Sequence, residues 1–494
     1  MELNEIVKIS KEVTGTAPYS IEKLPEGGSP RHYTHVTLDD AGDKSVIVTE
    51  GNDHVENRSF CMLARAFGDY ARDHKEQFAG ISFPEILYHT SDYSVYMQSD
   101  LGDVSLFDLI RETRKEGVNS EDSLHSLIQS VLDALIKVQT IPESVWEDKV
   151  FNRRFGERMV HWDLNYFKYE FLKPAGVTFN EDLLQDDFES LAEVLTEVDD
   201  EYTGFMYRDF QSRNIMIAGS GIGLIDFQGG RKGVCIYDAI SFLWQARAGF
   251  SHKFRMEMLD YYINRYCSQT GGNIGFLRSV AHNYVLFRTL QVLGAYGFRG
   301  LVEGKAHFIE SIPGAIRNLS ELLANGDVDN YPELKKCCEI LCADTRWQKE
   351  KTDGLTIEVC SFSYKKGYPK NFTGNGGGFM FDCRGMHNPG RYDEYKKLTG
   401  LDKPVIDFLE ERGEVDLFVK NAKDIVSPSI KSYLRRGFND LQVGFGCTGG
   451  QHRSVYCAER FAREIAEEYP DATVKVYHRE QNTPVRKLSK QVIS

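Results

Sequence analysis

Two short motifs constrain the fold of this chain more than any other feature: YRDFQSRN at residues 207–214 and LIDFQGG at residues 224–230. The first places Asn214 five residues after Asp209, and in the second an apolar run ends at Asp226. In kinase-type phosphoryl transfer one carboxylate lies beside the acceptor hydroxyl, while an amide and a second carboxylate hold Mg²⁺. We therefore predict that Asp209 is the catalytic base and that Asn214 and Asp226 bind Mg²⁺, which carries ATP or another nucleoside triphosphate. Taken alone, the first motif also fits a surface Asp and a turn Asn.

Five further segments give the chain a family resemblance over roughly residues 1–330. It resembles the aminoglycoside phosphotransferase family of small-molecule kinases, and within that family the anomeric kinases of N-acetylmuramate and N-acetylglucosamine. The matching segments, in chain order, are GGSPRHY (27–33), SVIVTEG (45–51), YMQSDLGDVSLFDLI (96–110), DFQGGRKGVCIYDAISFLW (226–244) and FRTLQVLGAYGFRGLVEGKAHFIESIP (287–313).

This resemblance implies a fold of the α+β class with the two lobes of a protein kinase. A small β-rich lobe is expected at residues 1–100, and a helical lobe with the catalytic and metal loops at residues 101–335. The resemblance also implies a nucleotide site formed by a short loop and by the hinge between the lobes, with contacts from Gly27, Gly28, Ser29, Asp100 and Gly102.

Two positions depart from the family pattern. Tyr207 stands before the catalytic Arg where the family usually carries His, so a phenol must hold the backbone of the loop. Thr49 follows the strand VIV where kinases place the lysine that pairs with the phosphates. The anomeric sugar kinases also tend to lack that lysine, so its absence favours this subfamily over an inactive kinase.

Composition sets broad limits on the protein. A chain of 494 residues with 41% hydrophobic content is long enough for two to four domains. It contains no apolar run of about 18 residues and no signal-peptide pattern at its start, so we expect a cytoplasmic protein with no membrane contact. Its ten Cys lack paired spacings, which suits a reducing compartment. An oligomer is compatible with all of this.

Charge is distributed unevenly along the chain. Residues 355–494 carry 22 Lys and Arg against 18 Asp and Glu, a net charge of +4. Because the whole chain has a net charge of −14, the first 354 residues carry −18. Binding to nucleic acid requires basic surface that neutralises phosphates, so the acidic part is not expected to bind it.

Hydrophobic patterning in the first 354 residues predicts a β-hairpin with its turn at residues 39–43, a helix at 60–74 and a longer helix at 123–139.

A second module begins near residue 355, after a helical connection at residues 336–354, and centres on GFGCTGGQHRS at residues 444–454. Here an apolar strand enters a glycine turn that leads into a helix. Backbone N–H groups at such a helix start point towards one anion, and the helix dipole favours negative charge there. His452 and Arg453 supply further donors. The glycines also fit a tight turn that serves packing only.

The whole of residues 355–480 resembles the carboxy-terminal domain of the RNase adapter protein RapZ. The matching segments are TIEVCSFSYKKGYP, FDCRGMHNP, TGLDKPVIDFLE and GCTGGQHRSVYCAE. The resemblance implies a separate α/β domain at residues 355–494 that senses a phosphosugar and contacts RNA. The ligand contacts it implies are Cys447, Thr448, Gly449, Gly450, His452, Arg453, Asp382 and Arg384. The sequence departs from the family after Pro389, where Gly390 and Arg391 replace an aromatic residue or His.

The same loop also has the spacing of a cysteine phosphatase, in which a thiolate at a helix start attacks a bound phosphate. Cys447 is followed after five residues by Arg453 and then Ser454, but Gly446 replaces the His that usually precedes the Cys. The basic residues near the end of the chain fit RNA contacts or a solvated tail; they are His478, Arg479, Arg486, Lys487 and Lys490.

Both resemblances point to amino-sugar phosphates. We therefore predict an ATP- and Mg²⁺-dependent kinase that phosphorylates a sugar, an N-acetylated amino sugar at its anomeric hydroxyl, in cell-wall recycling or nucleotide-sugar supply. The fused domain would sense a phosphosugar. The alternatives are a kinase of choline or an aminoglycoside, an RNA-binding regulator with a kinase-like scaffold, and a carboxy-terminal cysteine phosphatase.

Overall fold

A computed structural model describes residues 3–24, 31–39, 44–115, 120–151, 154–218, 221–347, 354–369, 378–436, 438–481 and 485–488. The chain divides into two units. The first contains residues 1–295 and 314–340, and the second contains residues 296–313 and 341–494.

The first unit begins with a five-stranded antiparallel sheet in the order β1-β2-β3-β6-β5. Its alternating β-branched residues fit a sheet with two differently covered faces. The elements of this lobe are α1 (Leu3–Thr14), β1 (Ser20–Lys23), β2 (His32–Thr37), β3 (Ser45–Glu50), α2 (His54–Asp73), β4 (Ile81–Ser82), β5 (Ile86–His89) and β6 (Val95–Ser99). The predicted hairpin is confirmed as β2 and β3, although residues 40–43 of its predicted turn lie outside the described residues.

The two faces of this sheet have different neighbours. On one face, Val36, Val46, Val48 and Met97 form a small core with Ile6 and Ile9 of α1. Residues that pair directly across antiparallel strands share a face, so Tyr33, Thr49 and Tyr96 lie together on the opposite face.

The helical lobe follows with α3 (Leu106–Lys115), α4 (Ser120–Gln139), α5 (Glu143–Trp146), α6 (Glu157–Phe167), α7 (Lys173–Ala175), α8 (Glu181–Thr196), β7 (Thr203–Met206), β8 (Ile215–Ala218), β9 (Gly221–Leu224), β10 (Arg231–Val234), α9 (Ile236–Leu243), α10 (His252–Thr270), α11 (Ile274–Tyr296), α12 (Ala306–Ile309), α13 (Ile312–Asn325) and α14 (Pro332–Ala343). The predicted helices at 60–74 and 123–139 are confirmed as parts of α2 and α4.

Four short strands position the two motifs of the helical lobe. β8 and β9 form an antiparallel hairpin, and β7 pairs with β10. The catalytic loop therefore joins β7 to β8, and the metal loop joins β9 to β10. Because a hairpin returns the chain to its starting point, it brings the ends of these two loops side by side.

The carboxy-terminal domain is an α/β domain, as the resemblance implied. Its sheet has the order β12-β13-β11-β14-β15, with the first four strands parallel and β15 antiparallel. The elements are β11 (Thr356–Ser363), β12 (Phe379–Asp382), α15 (Lys403–Glu410), α16 (Glu414–Arg436), β13 (Asp440–Cys447), α17 (Arg453–Glu468), β14 (Thr473–His478) and β15 (Arg486–Leu488). The carboxyl ends of the parallel strands share one edge, which is where open α/β sheets bind ligands.

The predicted connection at residues 336–354 is helical through Ala343, and a single 3₁₀ turn follows at Thr345–Trp347. Residues 348–353 lie outside the described residues. Among the helices that the structure describes, none is long and apolar enough to cross a bilayer.

Candidate functional site

The structure brings Asp209, Asn214 and Asp226 together at the ends of the β8–β9 hairpin. Asn214 Nδ2 donates to Asp226 Oδ2 at 3.0 Å and to the backbone oxygen of Asp209 at 2.9 Å. Gln228 Nε2 donates to the other oxygen of Asp226 at 2.6 Å. The Asp209 side chain remains 48% exposed, so an acceptor hydroxyl can reach it. The two motifs thus form a single site.

Both loops contain a residue with left-handed backbone geometry. Arg208 has φ of +79° and Asp226 has φ of +66°, values that non-glycine residues adopt at a cost. Tyr207 OH donates to the backbone oxygen of Ile225 and so ties the catalytic loop to the metal loop. The phenol at the position of the family's usual His therefore holds the loop backbone, as predicted from the sequence.

Asp238 of α9 supports the backbone of the catalytic loop, a role that was not predicted from the sequence. Its carboxylate accepts the backbone N–H groups of Tyr207 at 2.7 Å and Arg208 at 2.8 Å, and Gln139 Nε2 at 3.1 Å. Burial raises the pKa of Asp238 to about 7, against the opposing effect of these donors. The carboxylate therefore accepts the N–H groups of two consecutive residues, the second of which is the strained Arg208 next to Asp209.

A largely buried polar network lies beside Asp209. Arg208 Nη2 donates to Asp163 at 2.7 Å, and Gln291 Nε2 donates to the same carboxylate oxygen at 3.0 Å. Arg288 Nη1 donates to Tyr237 OH at 3.0 Å and to Gln291 Oε1 at 2.7 Å. Arg288 Nη2 also lies 4.0 Å from Asp209 Oδ1. Apart from Arg208, these residues come from α6, α9 and α11, and their roles in the network were not predicted from the sequence.

The arrangement of Asn214 and Asp226 fits a magnesium ion. Burial raises the pKa of the Asp226 carboxyl, while the hydrogen bond from Gln228 opposes this shift. A nearby dication would compensate the charge of this partly buried carboxylate. The described residues contain no group of three or more His, Cys, Asp or Glu side chains with metal-binding geometry. Mg²⁺ of the kinase type takes few protein ligands and completes its shell with phosphates and water, so Asn214 and Asp226 would suffice to hold it.

The predicted nucleotide contacts are only partly described. Gly27, Gly28 and Ser29 lie outside the described residues. Asp100 follows β6, and its Oδ2 accepts Ser45 Oγ at 2.7 Å and lies 3.0 Å from His35 Nε2. Its Oδ1 accepts the N–H of Gly102, which has φ of +97°. These contacts give Asp100 a role in shaping the hinge, and its contact with a nucleotide stays a prediction.

The loop between β13 and α17 surrounds the thiol of Cys447 with donors. Gly450 N donates to Cys447 Sγ at 3.2 Å, and Ser454 Oγ lies 3.1 Å from it. Burial would raise the pKa of this thiol, but hydrogen bonds from the Ser454 hydroxyl and from backbone N–H groups of Ser454, Gln451 and Gly450 outweigh burial and lower it. Gly450 has φ of +66°, and a Cβ there would lie 2.4 Å from Glu480 Cγ. Thr448 and Gly449 form the exposed tip of the loop.

Arg453 connects this loop to the end of β12. Its Nη1 donates to the backbone oxygens of Arg384 at 2.9 Å and Met386 at 2.8 Å, while its buried Nε has no hydrogen-bond partner. Arg384 forms an ion pair with Asp382 at 2.7 Å and stacks 4.1 Å from the ring centre of Tyr364. The structure therefore brings Asp382 and Arg384 to the same sheet edge as the loop.

Two sequence readings of this domain need correction. His452 is buried, and its Nε2 lies 2.9 Å from the backbone oxygen of Tyr395, so the ring is held by the protein instead of being a free donor. His478 is also buried, between Ser361 and Glu459, because alternate residues of β14 face the core. It therefore belongs to no exposed basic tail. Arg479 and Arg486 form ion pairs with Glu480 and Glu459, and Lys490 lies outside the described residues.

Each of the two units contains a region that matches a known protein family. The model described as the phosphotransferase enzyme family matches residues 21–278, which is more than half of the chain. The chain belongs to this phosphotransferase family. The model described as the RapZ C-terminal domain matches residues 355–482. The phosphotransferase domain therefore contains the site of Asp209, and the RapZ-type domain contains the Cys447 loop.

Curated relatives of this phosphotransferase-family chain match only part of it. A nucleotide-binding protein of Lactobacillus acidophilus is 36% identical over 138 residues, which is 28% of this chain and 44% of the relative. A nucleotide-binding protein of Shewanella halifaxensis is 40% identical over 126 residues, 26% of this chain and 42% of the relative. The chain thus spans about half the length of the curated relatives it matches.

Solved structures similar to the chain include other phosphotransferases. Macrolide 2′-phosphotransferase MphH from Brachybacterium faecium has a TM-score of 0.40 at 12% identity, covering 63% of this chain and 97% of its own. Choline kinase from Cryptosporidium parvum has a TM-score of 0.46 at 10% identity, covering 68% of this chain and 100% of its own.

Proposed function

We propose that this protein is an ATP- and Mg²⁺-dependent kinase that phosphorylates an N-acetylated amino sugar at its anomeric hydroxyl. The observation that carries the proposal is the joined site of Asp209, Asn214 and Asp226. Asp209 would orient and deprotonate the acceptor hydroxyl, while Asn214 and Asp226 would hold Mg²⁺. The metal would neutralise charge on the transferred phosphoryl group.

The charges around Asp209 favour a sugar acceptor over a cationic alcohol. Two buried arginines, Arg231 and Arg288, and the partly buried Arg208 lie on this side of the loop, with the carboxylates Asp163 and Asp209 among them. Burial, together with the neighbouring Arg208 cation, lowers the pKa of Arg231 to about 10. A choline or aminoglycoside cation would be repelled here, whereas a neutral polyol finds donors and acceptors.

The carboxy-terminal domain would bind a phosphosugar and so report on the product of the kinase or a related compound. The unpartnered Nε of Arg453, at the start of α17, supports phosphate binding. Relatives described as nucleotide-binding proteins are consistent with a phosphorylated ligand. The two domains would then place synthesis and sensing of a phosphosugar in one cytoplasmic chain.

A panel of acceptors tests the kinase proposal. The full chain is incubated with ATP, Mg²⁺ and each of a set of N-acetylated amino sugars, plain sugars, choline and aminoglycosides, with Asp209→Asn as background. We expect turnover above background with an N-acetylated amino sugar, and loss of that turnover when the anomeric hydroxyl is blocked as a methyl glycoside. Turnover only with a cationic alcohol would select that alternative, and no turnover would leave the scaffold of an RNA-binding regulator.

A second candidate function is phosphatase activity at Cys447, favoured by its lowered pKa and by its contacts with Gly450 N and Ser454 Oγ. The thiolate would form a bond to phosphorus as the bond to the sugar oxygen breaks, and water would then release phosphate. Release of phosphate from a hexosamine phosphate that disappears in Cys447→Ser would establish it. Intact binding without release in both proteins would leave the sensor.

A further inference from the structure

Strand β3 lacks the cation that a kinase nucleotide site requires. Thr49 occupies the position of the lysine that pairs with ATP phosphates, and its side chain is fully buried. Its direct neighbours across the sheet are Tyr33 and Tyr96, both tyrosines on the same face. Uncharged side chains therefore occupy the position of the lysine and its surroundings, and a cation that binds the phosphates must come from another part of the site.

Arg31, immediately before β2, forms the ion pair that the missing lysine would form. Its Nη2 donates to Glu56 at 2.6 Å and its Nε donates to Asn57 Oδ1 at 2.9 Å. Glu56 and Asn57 lie at the start of α2, the helix that follows β3. Kinases place in this helix the glutamate that pairs with their strand lysine. Glu56 therefore lies where kinases carry their helix glutamate, while its cationic partner precedes β2 instead of lying on β3.

The surrounding backbone leaves room for this arginine. A Cβ on Gly51 would lie 3.0 Å from Arg31 Cγ and 3.3 Å from Asn57 Nδ2, so the glycine makes space for the arginine stem. Asn57 is fully buried and also donates to the backbone oxygens of Gly51 at 3.0 Å and Tyr93 at 2.9 Å. The arginine is thus held by a rigid frame that joins β3, α2 and β6.

The guanidinium also faces the metal loop. Arg31 Nη1 lies 4.0 Å from Asp226 Oδ1, although only 4% of the Arg31 side chain is exposed. Asp226 is the residue that would hold Mg²⁺ against the nucleotide phosphates. Phosphates held by a metal ion on that carboxylate would therefore lie close to the Arg31 guanidinium.

We propose that Arg31 is the phosphate-binding cation of the nucleotide site and replaces the strand lysine of other kinases. This assignment rests on the proposed kinase function. Arg31 pairs with Glu56 in the resting protein and contacts the α- and β-phosphates of the nucleotide when Mg²⁺ is bound. A guanidinium suits the role because its several donors serve Glu56, Asn57 and a phosphate oxygen together.

A matched pair of substitutions separates charge from packing. Arg31→Lys and Arg31→Met both remove the planar fork that bonds Asn57, but only the lysine variant keeps a positive charge. The binding of Mg²⁺ with a non-hydrolysable ATP analogue is measured by calorimetry on the full chain. We expect Arg31→Met to weaken binding about 10- to 100-fold, the range for a charged hydrogen bond, and Arg31→Lys to remain within about fivefold of wild type. Arg58→Ala, which removes an exposed arginine from α2, should change nothing.

Equal losses of analogue affinity in Arg31→Lys and Arg31→Met would mean that Arg31 only packs, and would overturn the assignment. Unchanged affinity in Arg31→Met would also overturn it. If Arg31→Met does not fold, Gly51→Val tests the same point, because its side chain displaces the arginine stem. Gly51→Val should weaken analogue binding in a protein whose melting temperature shows that it is folded, and unchanged binding there would also overturn the assignment. A wild type that turns over ATP while Arg31→Met binds normally removes only this inference, whereas a wild type that binds no nucleotide removes the kinase function with it.

Discussion

The catalytic site and the Cys447 loop would both handle phosphate, but they are built in opposite ways. In the catalytic site, the left-handed backbone falls on Arg208 and Asp226, residues that carry side-chain functions. In the Cys447 loop it falls on Gly450, which adopts this geometry without steric cost. In the first site, side chains from other segments support the strained residues themselves, whereas in the second they bond the loop around an unstrained glycine, through Ser363 Oγ to Thr448 O and Gln481 Nε2 to Gly450 O.

This difference follows from what each site presents to phosphate. The catalytic site would approach it through a metal and a guanidinium, so its carboxylates must be fixed at chosen positions. Asp238 and Tyr207 provide that support through hydrogen bonds to the loop backbone. The Cys447 loop would bind phosphate through backbone N–H groups, so its binding would depend on the conformation of its backbone. Damage to the first site should act through a few side chains, and damage to the second through backbone shape.

The catalytic carboxylates should give the largest effects. Asp209→Asn removes the base and should lower kcat about 10²-fold or more, the usual contribution of a general base. Asp226→Ala should abolish the Mg²⁺ dependence of nucleotide binding. Steady-state rates with the acceptor found in the panel, and calorimetry with and without Mg²⁺, measure both. If Asp209→Asn kept the wild-type rate, Asp209 would not be the base.

The support of the catalytic loop should matter next. Asp238→Ala leaves the N–H groups of Tyr207 and Arg208 without their acceptor, at a cost of about 1–3 kcal/mol for each buried group. We expect a lower melting temperature and a kcat that falls more than the KM for ATP changes. Asp186→Ala on the exposed face of α8 is the control. A variant with normal stability and normal kcat would show that the loop holds its strained geometry unaided.

Much of the catalytic site could be predicted from sequence because its parts are local. Asp209 and Asn214 share one loop, and the β8–β9 hairpin brings Asp226 beside them. The charged groups that reach the site from other segments could not be predicted in the same way. Asp163, Arg288 and Arg31 reach the site from distant segments, and nothing in a linear pattern says which buried arginine will face a carboxylate.

The error at His478 had a signal that was available in the sequence. Val474, Val476 and His478 alternate in the pattern of a half-buried strand, which outweighs the run of basic residues that follows. The prediction of the Cys447 loop was more accurate because strand, glycine turn and helix follow one another directly. Its fine detail was not readable, since the inward turn of His452 depends on the distant backbone of Tyr395.

In the Cys447 loop, loss of the arginine should have the largest effect on binding. Arg453→Ala removes the buried Nε and should weaken binding of a hexosamine phosphate by about 1.5–3 kcal/mol, the range for a charged hydrogen bond. Calorimetry on the full chain with the phosphosugar and the unphosphorylated sugar measures it. Equal affinity for the two ligands in wild type would contradict phosphate recognition by this loop.

The backbone of the loop offers a matched comparison between neighbouring glycines. Gly450→Ala forces an L-residue into left-handed geometry at about 1–2 kcal/mol, and its Cβ also meets Glu480. Gly449→Ala places its Cβ in open space and should leave the free energy of unfolding unchanged. Urea unfolding of both variants tests whether the left-handed geometry of Gly450 stabilises this site. Similar stabilities would count against it.

The smallest effect concerns the ionisation of Cys447. Because hydrogen bonds outweigh burial and lower its pKa, the thiolate is stabilised in the folded protein, and that stabilisation is lost as the pH falls through the folded pKa. Alkylation by iodoacetamide follows the thiolate fraction, so its rate should level off at a lower pH than for an ordinary thiol. Ser454→Ala removes one donor and should move the midpoint of this profile upwards, while Thr448→Ala at the exposed tip should leave it in place. A midpoint unchanged by Ser454→Ala would mean that the backbone N–H groups alone hold the thiolate, which would make this loop still more independent of its side chains than the catalytic site.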